Sequence, residues 1–124
     1  MSERYNGWAN YETWRVNLEY FDADDWERFE DTVQDLYDDY EPPTWAPLES
    51  PQEDRERSIR IDLAEHLKDE VEQWIQSYMP DDACYDIMKG WIHAFIADVR
   101  WTEIAAHALD SIKERIEIPQ LVES

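Results

Sequence analysis

Carboxylates are the side chains of this sequence that could do chemistry, because 31 of its 124 residues are Asp or Glu. Two carboxylates at a suitable distance can act as acid and base in hydrolysis, or can hold Mg²⁺ or Ca²⁺. Here they are so abundant that spacing singles out no pair. Asp24-Asp25 and Asp38-Asp39 also lack the D-x-D-x-D-G pattern of a calcium loop. We therefore expect a diffuse attraction of cations and no specific metal site.

Histidine and cysteine give no better catalytic pattern. His66, His93 and His107 fall on three different predicted helices, and no H-E-x-x-H motif is present. Cys84 is the only cysteine, which excludes an internal disulfide and a multi-cysteine zinc site, and no base can be placed beside it. We find no catalytic motif and predict a protein that is not an enzyme and uses no cofactor.

The negative charge is concentrated in one part of the chain. Of the formal net charge of −20, residues 19–54 carry −13, from 14 acids and one base. Residues 24–39 alone carry −7, which in a helix amounts to one charge per roughly 3.4 Å, the phosphate spacing of a single DNA strand. A basic partner is the natural complement, whereas direct contact with nucleic acid or with an anionic membrane is disfavoured.

Apolar residues at helical spacing predict the elements that carry these groups. Trp14, Leu18 and Phe21 predict a short first helix. The clearest helix is predicted for residues 24–40, with an apolar side formed by Trp26, Phe29, Val33, Leu36, Tyr37 and Tyr40. The opposite side is an acidic stripe formed by Asp24, Glu27, Asp31, Asp35 and Asp38.

Proline and capping signals predict how the chain continues. Four prolines in residues 41–51 predict an extended connector. Ser50-Pro51-Gln52-Glu53 joins a serine cap, a proline at the first helical position and a glutamate three residues after the cap, which predicts a helix from about 51 to 78. Its apolar face would consist of Ile59, Leu63, Leu67, Val71, Trp74, Ile75 and Tyr78.

Two further helices are predicted at about 81–98 and 102–116. The first would bury Tyr85, Met88, Ile92, Phe95, Ile96 and Val99, with Trp91 close to the same face. The second would bury Ile104, Ala105, Ala108, Leu109, Ile112 and Ile116. Together the elements predict one all-α domain, residues 1–124, built as a compact bundle of four to five helices with a proline-rich connector. The sequence shows no signal peptide and no membrane span, so we expect a cytoplasmic protein.

Two segments carry a family resemblance. Residues 5–18 read YNGWANYETWRVNL, and residues 99–107 read VRWTEIAAH. They resemble the N-G-W-x-N-x-x-T-W-x-V opening and the V-x-W-x-E-I-A segment of a family of small proteins of unknown function from phage, plasmid and prokaryotic genomes. Glu19 stands where members usually carry another aromatic residue. The resemblance implies one fold and a mobile-element context, and it implies no activity.

The opening motif has a structural and a functional interpretation. In the structural one, Gly7 makes a turn, Asn10 caps the first helix, and Trp8 and Trp14 belong to the core. In the functional one, the two tryptophans are binding aromatics of a recognition loop. The structural interpretation is favoured, because large aromatic side chains dominate small cores.

The acidic helix gives the leading functional hypothesis, a nucleic-acid mimic that inhibits a basic nucleic-acid-binding protein by occupying its groove. In a mobile-element context, the target would be a host-defence restriction or CRISPR complex. The predicted partner-binding residues are Asp24, Asp25, Glu27, Glu30, Asp31, Asp35, Asp38, Asp39 and Glu41. One alternative is a salt-adapted accessory or structural protein whose acidity serves solubility only. Another is an enzyme, which predicts a concave pocket holding a carboxylate of strongly raised pKa.

Overall fold

A computed structural model describes residues 7–21, 26–41, 51–78 and 86–119 of the chain. These residues contain five α-helices and one 3-10 turn. The helices are α1 (Tyr11–Glu19), α2 (Glu30–Asp39), α3 (Pro51–Tyr78), α4 (Asp86–Ala97) and α5 (Trp101–Ile112). No strand occurs in these residues. The predicted all-α bundle is therefore confirmed.

The predicted helix over residues 24–40 is shorter in the structure. A 3-10 turn, Glu27–Phe29, leads into α2, so the α-helical part covers ten residues, or about 15 Å at 1.5 Å per residue. Aromatic rings pack together at this tighter turn. The rings of Trp26 and Phe29 lie 6.0 Å apart, and both contact Phe21. The predicted site residues Asp24 and Asp25 lie outside the described residues, as do residues 42–50 of the connector.

The core is built around α3 and α5. Most of the apolar positions that the periodicity predicted are buried, namely Ile59, Leu63, Leu67 and Val71 of α3 and Ile104, Ala105, Ala108, Leu109 and Ile112 of α5. α5 ends at Ile112, four residues earlier than predicted. The segment after it runs along α3, where Arg55, itself buried, donates a hydrogen bond to the carbonyl of Pro119. Residues 113–115 form a turn after α5, and the contact at Pro119 holds the segment beyond that turn against α3.

The two segments of the family resemblance are joined in the fold. The backbone N–H of Ala9 donates to a carboxylate oxygen of Glu103 at 2.7 Å, and the side chain of Asn10 donates to the carbonyl of Asp98 at 2.7 Å. Asn10 also caps α1, Gly7 has a φ of +88°, and Trp8 is buried. The structural interpretation is confirmed for these three residues, while Trp14 is only partly buried.

Several residues predicted for the core are exposed instead. Trp74 is 50% exposed and Tyr78 75%, both at the end of α3, while Met88 and Trp91 of α4 are 44% and 70% exposed. α3 has 28 residues and is about 42 Å long, whereas α5 has 12 residues and is about 18 Å long. The last turns of α3 therefore extend beyond the helices that cover its middle.

Candidate functional site

α2 is fixed against α3 by its tyrosines. The hydroxyl of Tyr37 donates to the carboxylate of Glu56, with oxygen distances of 2.7 and 2.8 Å, and the hydroxyl of Tyr40 donates to Asp54 at 2.6 Å. At the other end of α2, Arg28 pairs with Glu70 at 3.5 Å. Because later residues of α2 meet earlier residues of α3, the two helices run antiparallel.

The segment after α5 holds another side of α2. Gln34 donates through its amide nitrogen to the carbonyl of Glu117 at 2.5 Å and accepts a hydrogen bond from the N–H of Glu117 at 3.0 Å. Glu30 pairs with Arg115 at 2.9 Å. With Val33 in the core, α2 is anchored on every side except the one that faces solvent.

The solvent side of α2 carries the predicted acidic stripe. Asp31, Asp35, Asp38 and Asp39 are all exposed. At 100° per residue they lie within an arc of roughly 100°. From Asp31 to Asp39 the helix rises about 12 Å, so the four charges lie on average about 4 Å apart along the axis, close to the phosphate spacing of one nucleic acid strand. The predicted charge density therefore holds over a shorter length than the sequence suggested. We call these four residues the α2 stripe.

The carboxylates of the α2 stripe have no cationic partner among the described residues. The nearby bases pair with other acids: Arg115 with Glu30, Lys113 with Glu56, and Arg57 with Asp54. Asp38 accepts one hydrogen bond, from the amide of Gln34 at 3.1 Å. The stripe consequently presents unneutralised charge to solvent or to a partner.

The remaining predicted site residues have different environments. Glu27 is exposed in the 3-10 turn, and Glu41 is exposed just after α2. Glu30, which the sequence placed beside the stripe, is partly buried by its pairing with Arg115. The exposed part of the predicted site, within the described residues, is thus the α2 stripe with Glu27 and Glu41 beyond its ends.

Tyrosine hydroxyls and carboxylates on the inner side of α2 influence one another's pKa values. Burial, the hydrogen bond to Glu56 and the charge of that residue raise the pKa of Tyr37 well above its usual value. Burial and then Asp54 raise the pKa of Tyr40 to about 12. Conversely, the hydrogen bonds from Tyr40 and Arg57 lower the pKa of Asp54. The two tyrosines and their carboxylate partners thus form hydrogen bonds within the fold. The exposed carboxylates of α2 are those of the α2 stripe.

A second acidic line, which sequence reasoning missed, lies on α3. Asp62, Glu65 and Asp69 are exposed and Glu72 is partly exposed. Their spacing of i, i+3, i+7 and i+10 puts them on one side of the helix. This helical spacing could have predicted an acidic side of α3 from the sequence. The predicted site was based only on the denser run of acids in residues 19–54. Two helices that pack side by side therefore each present carboxylates to solvent.

An aromatic groove between α1, α3 and α4 was also not predicted. Its volume is about 710 Å³, and its walls include Tyr11, Tyr20, Trp74, Ile75, Ile92 and Phe95 together with Arg15 and Arg28. The one carboxylate in its lining, Glu19, pairs with Arg15. Arg28 lies over the ring of Tyr20 at 5.3 Å. The arginines are thus engaged by aromatic rings and by acids of the same chain.

Within the described ranges, no group of three or more His, Cys, Asp or Glu residues is arranged to hold a metal ion. His107 packs against the ring of Trp8, with 4.2 Å between the ring centres. None of the described helices combines the length and apolar composition that crossing a bilayer requires.

Comparison with models of protein families, with curated proteins and with solved structures finds no significant match to this chain. The family resemblance of the two joined segments therefore stays a prediction.

Proposed function

We propose that this chain is a non-enzymatic inhibitor whose α2 stripe occupies the basic groove of a nucleic-acid-binding protein. The observation that carries the proposal is a line of exposed carboxylates that have no cationic partner among the described residues, at close to the phosphate spacing of a nucleic acid strand, on a helix that is fixed on its other sides. A fixed helix lowers the ordering cost of binding that a flexible acidic tail would incur. The acidic line on α3 offers further carboxylates to the same partner.

The length of the α2 stripe limits the size of the site that it imitates. The stripe rises about 12 Å from Asp31 to Asp39, which corresponds to about four phosphates along one strand. The partner would be a basic groove that follows a short stretch of backbone. A restriction or CRISPR complex is the target class that the resemblance to mobile-element proteins suggests.

The rival function, solubility in a high-salt cytoplasm, predicts acids spread over the whole surface. In the described residues the charge is segregated: residues 26–41 carry −6, whereas residues 86–119, about twice as many, carry −2. This segregation favours a binding surface over a general acidic coat.

Capture and competition test the proposal with two variants of equal charge. The stripe variant changes Asp31, Asp35, Asp38 and Asp39 to Asn, and the control changes Asp98, Asp110, Glu114 and Glu117, all exposed, to the matching amides. Both reduce the net charge from −20 to −16. We expect wild type and control to capture a basic protein from native cells and to displace nucleic acid from it, and the stripe variant to bind it at least about tenfold more weakly.

The salt dependence of binding to the captured protein gives a second readout. Four carboxylates that replace phosphates contribute roughly −3 to the slope of log K against log salt concentration. The slope measured for the stripe variant should therefore be less negative than that of wild type by about 3. Equal losses in the stripe and control variants would show that only net charge matters and would overturn the proposal. So would a captured protein whose nucleic acid the chain does not displace.

A further inference from the structure

α4 is apolar on almost all sides and yet largely exposed. Of its twelve residues, Asp86, Lys89 and His93 are the only ones with ionisable side chains, and Ile96 is the only buried one. Ile87 is 66% exposed and Trp91 is 70% exposed. A helix that is hydrophobic all round normally lies in an interior. Among the described residues, α4 therefore has an apolar surface that is largely exposed.

The exposed apolar surface of α4 continues onto the neighbouring helices. The ring of Tyr11 in α1 lies 6.4 Å from that of Phe95, across the aromatic groove. On the far side of the groove, Trp74 contacts Tyr78, with 5.4 Å between ring centres. We define the aromatic face as the exposed residues Tyr11, Trp74, Tyr78, Ile87, Met88 and Trp91.

The area of the aromatic face suits a protein interface. With 150–250 Å² for a whole aromatic side chain, the exposed fractions of these six residues amount to roughly 600 Å² of apolar surface. A standard interface buries about 800 Å² per partner, somewhat more than half of it apolar. The face is large enough for a stable complex.

Charge points to a second copy of this chain as the occupant. The helical segments that bear the aromatic face, residues 11–19, 71–78 and 86–97, contain four acids and two bases, a net charge of −2. Residues 26–41 carry −6 in about half that length. Two chains of net charge −20 can meet at low electrostatic cost only through such a weakly charged region. Their α2 stripes need not take part in the contact.

The surface of α4 is also complementary to itself. Gly90, Ala94 and Ala97 are exposed and recur at i, i+4 and i+7, beside a line formed by Ile87 and Trp91. A Cβ atom at Gly90 would meet nothing within 4 Å, so packing within the part of the chain that the structure describes does not require a glycine at this position. Small residues permit the close approach of another helix. The large side chains of Ile87 and Trp91 can then fill the space between the two helices.

We propose that two copies of this chain associate about a two-fold axis through α4, with Trp91 of each copy packed against Gly90 and Ala94 of the other. In an isologous interface the same patch serves both subunits, as this arrangement requires. The dimer does not depend on the partner proposed for α2, although it would place two α2 stripes on one assembly.

Sedimentation of the full chain over a range of concentrations tests the dimer. We expect a species of twice the 15.0 kDa chain mass, whose dissociation constant falls as KCl screens the repulsion between the subunits. Trp91→Ala should raise that constant about thirtyfold, as for a central aromatic residue of an interface. Gly90→Gln should also weaken the dimer by blocking the close approach, while it strengthens the helix of the monomer.

Ile61→Ala is the matched control, because Ile61 is 45% exposed on α3 and lies outside the aromatic face. Circular dichroism would establish that each variant is folded, and Gly90→Gln keeps the test decisive if Trp91→Ala lowers stability. A chain that stays monomeric at high concentration and high salt overturns the proposal. A dimer that neither variant weakens, or that Ile61→Ala weakens equally, overturns it as well.

Discussion

The side-chain oxygen of Thr13 accepts a hydrogen bond from the backbone N–H of Arg100 at 2.8 Å, across 87 residues of sequence. The same hydroxyl donates to the side chain of Asn10 at 2.6 Å, and Thr13 is completely buried. One threonine therefore connects the cap of α1 to the turn between α4 and α5. These contacts join the two segments that carry the family resemblance, which gives those motifs a structural role.

Replacing Thr13 by valine should destabilise the fold with little change in shape. Valine has neither donor nor acceptor, so the N–H of Arg100 loses the acceptor that Thr13 provides. This hydrogen bond is part-buried, so its loss should cost about 1 kcal/mol, the net contribution of a typical hydrogen bond. Urea unfolding measures the loss. Thr102→Val, at an exposed threonine, should change stability by less than about 0.5 kcal/mol. Equal effects at both positions would contradict the assigned role of Thr13.

Alkaline pH should destabilise the fold by ionising the two tyrosines that donate hydrogen bonds to carboxylates. The folded-state pKa values of Tyr37 and Tyr40 lie above the usual 10.0, at about 12 for Tyr40. A group whose folded pKa is raised contributes stability that is complete below its unfolded pKa and is lost as pH rises through the folded value. We expect the melting temperature to be steady up to about pH 10 and to fall towards pH 12.

The double variant Tyr37→Phe, Tyr40→Phe isolates this contribution. It should be less stable than wild type at neutral pH, because Glu56 and Asp54 lose hydrogen-bond donors, and its stability should depend less on alkaline pH. Tyr78→Phe, at a tyrosine that is 75% exposed, serves as the control. An alkaline transition of unchanged size in the double variant would rule out these tyrosines as its cause.

The α2 stripe should cost stability when salt is low. Asp35 has Asp31 four residues before it, and Asp38 and Asp39 three and four residues after it. Each like-charge pair at such a spacing destabilises a helix by about 0.2–0.5 kcal/mol. Asp35→Asn removes three such pairs and should therefore increase the free energy of unfolding by roughly 0.6–1.5 kcal/mol at low ionic strength. The gain should fade near 1 M KCl, where the Debye length is about 3 Å.

Asp110→Asn on α5 is the control for Asp35→Asn. Asp110 is exposed and has Lys113 and Glu114 three and four residues after it, so the charges around it cancel. Its replacement should leave stability almost unchanged at either salt concentration. A loss of stability in Asp35→Asn at low salt would mean that Asp35 has a favourable partner in the folded chain.

Local patterns in the sequence were sufficient for the elements and for the acidic side of α2. Helical spacing of Val33 and Tyr37 predicts the buried side of that helix, and the spacing of Asp31, Asp35 and Asp38 predicts the exposed one. The capping signal at Pro51 likewise predicts where α3 begins. These features depend on neighbours within a few residues along the chain, which a sequence displays directly.

Only the tertiary structure decided which apolar positions are covered and which charges are neutralised. The periodicity assigns Trp74, Met88 and Trp91 to an apolar side, but a side is buried only where another helix reaches it, and α3 extends beyond α5. In the same way, Glu30 pairs with Arg115 because the segment after α5 lies beside α2. The sequence by itself therefore determined the helices and their faces. The contacts between distant segments determined the aromatic face and left the α2 stripe without a cationic partner among the described residues, because burial and ion pairing depend on distances in space.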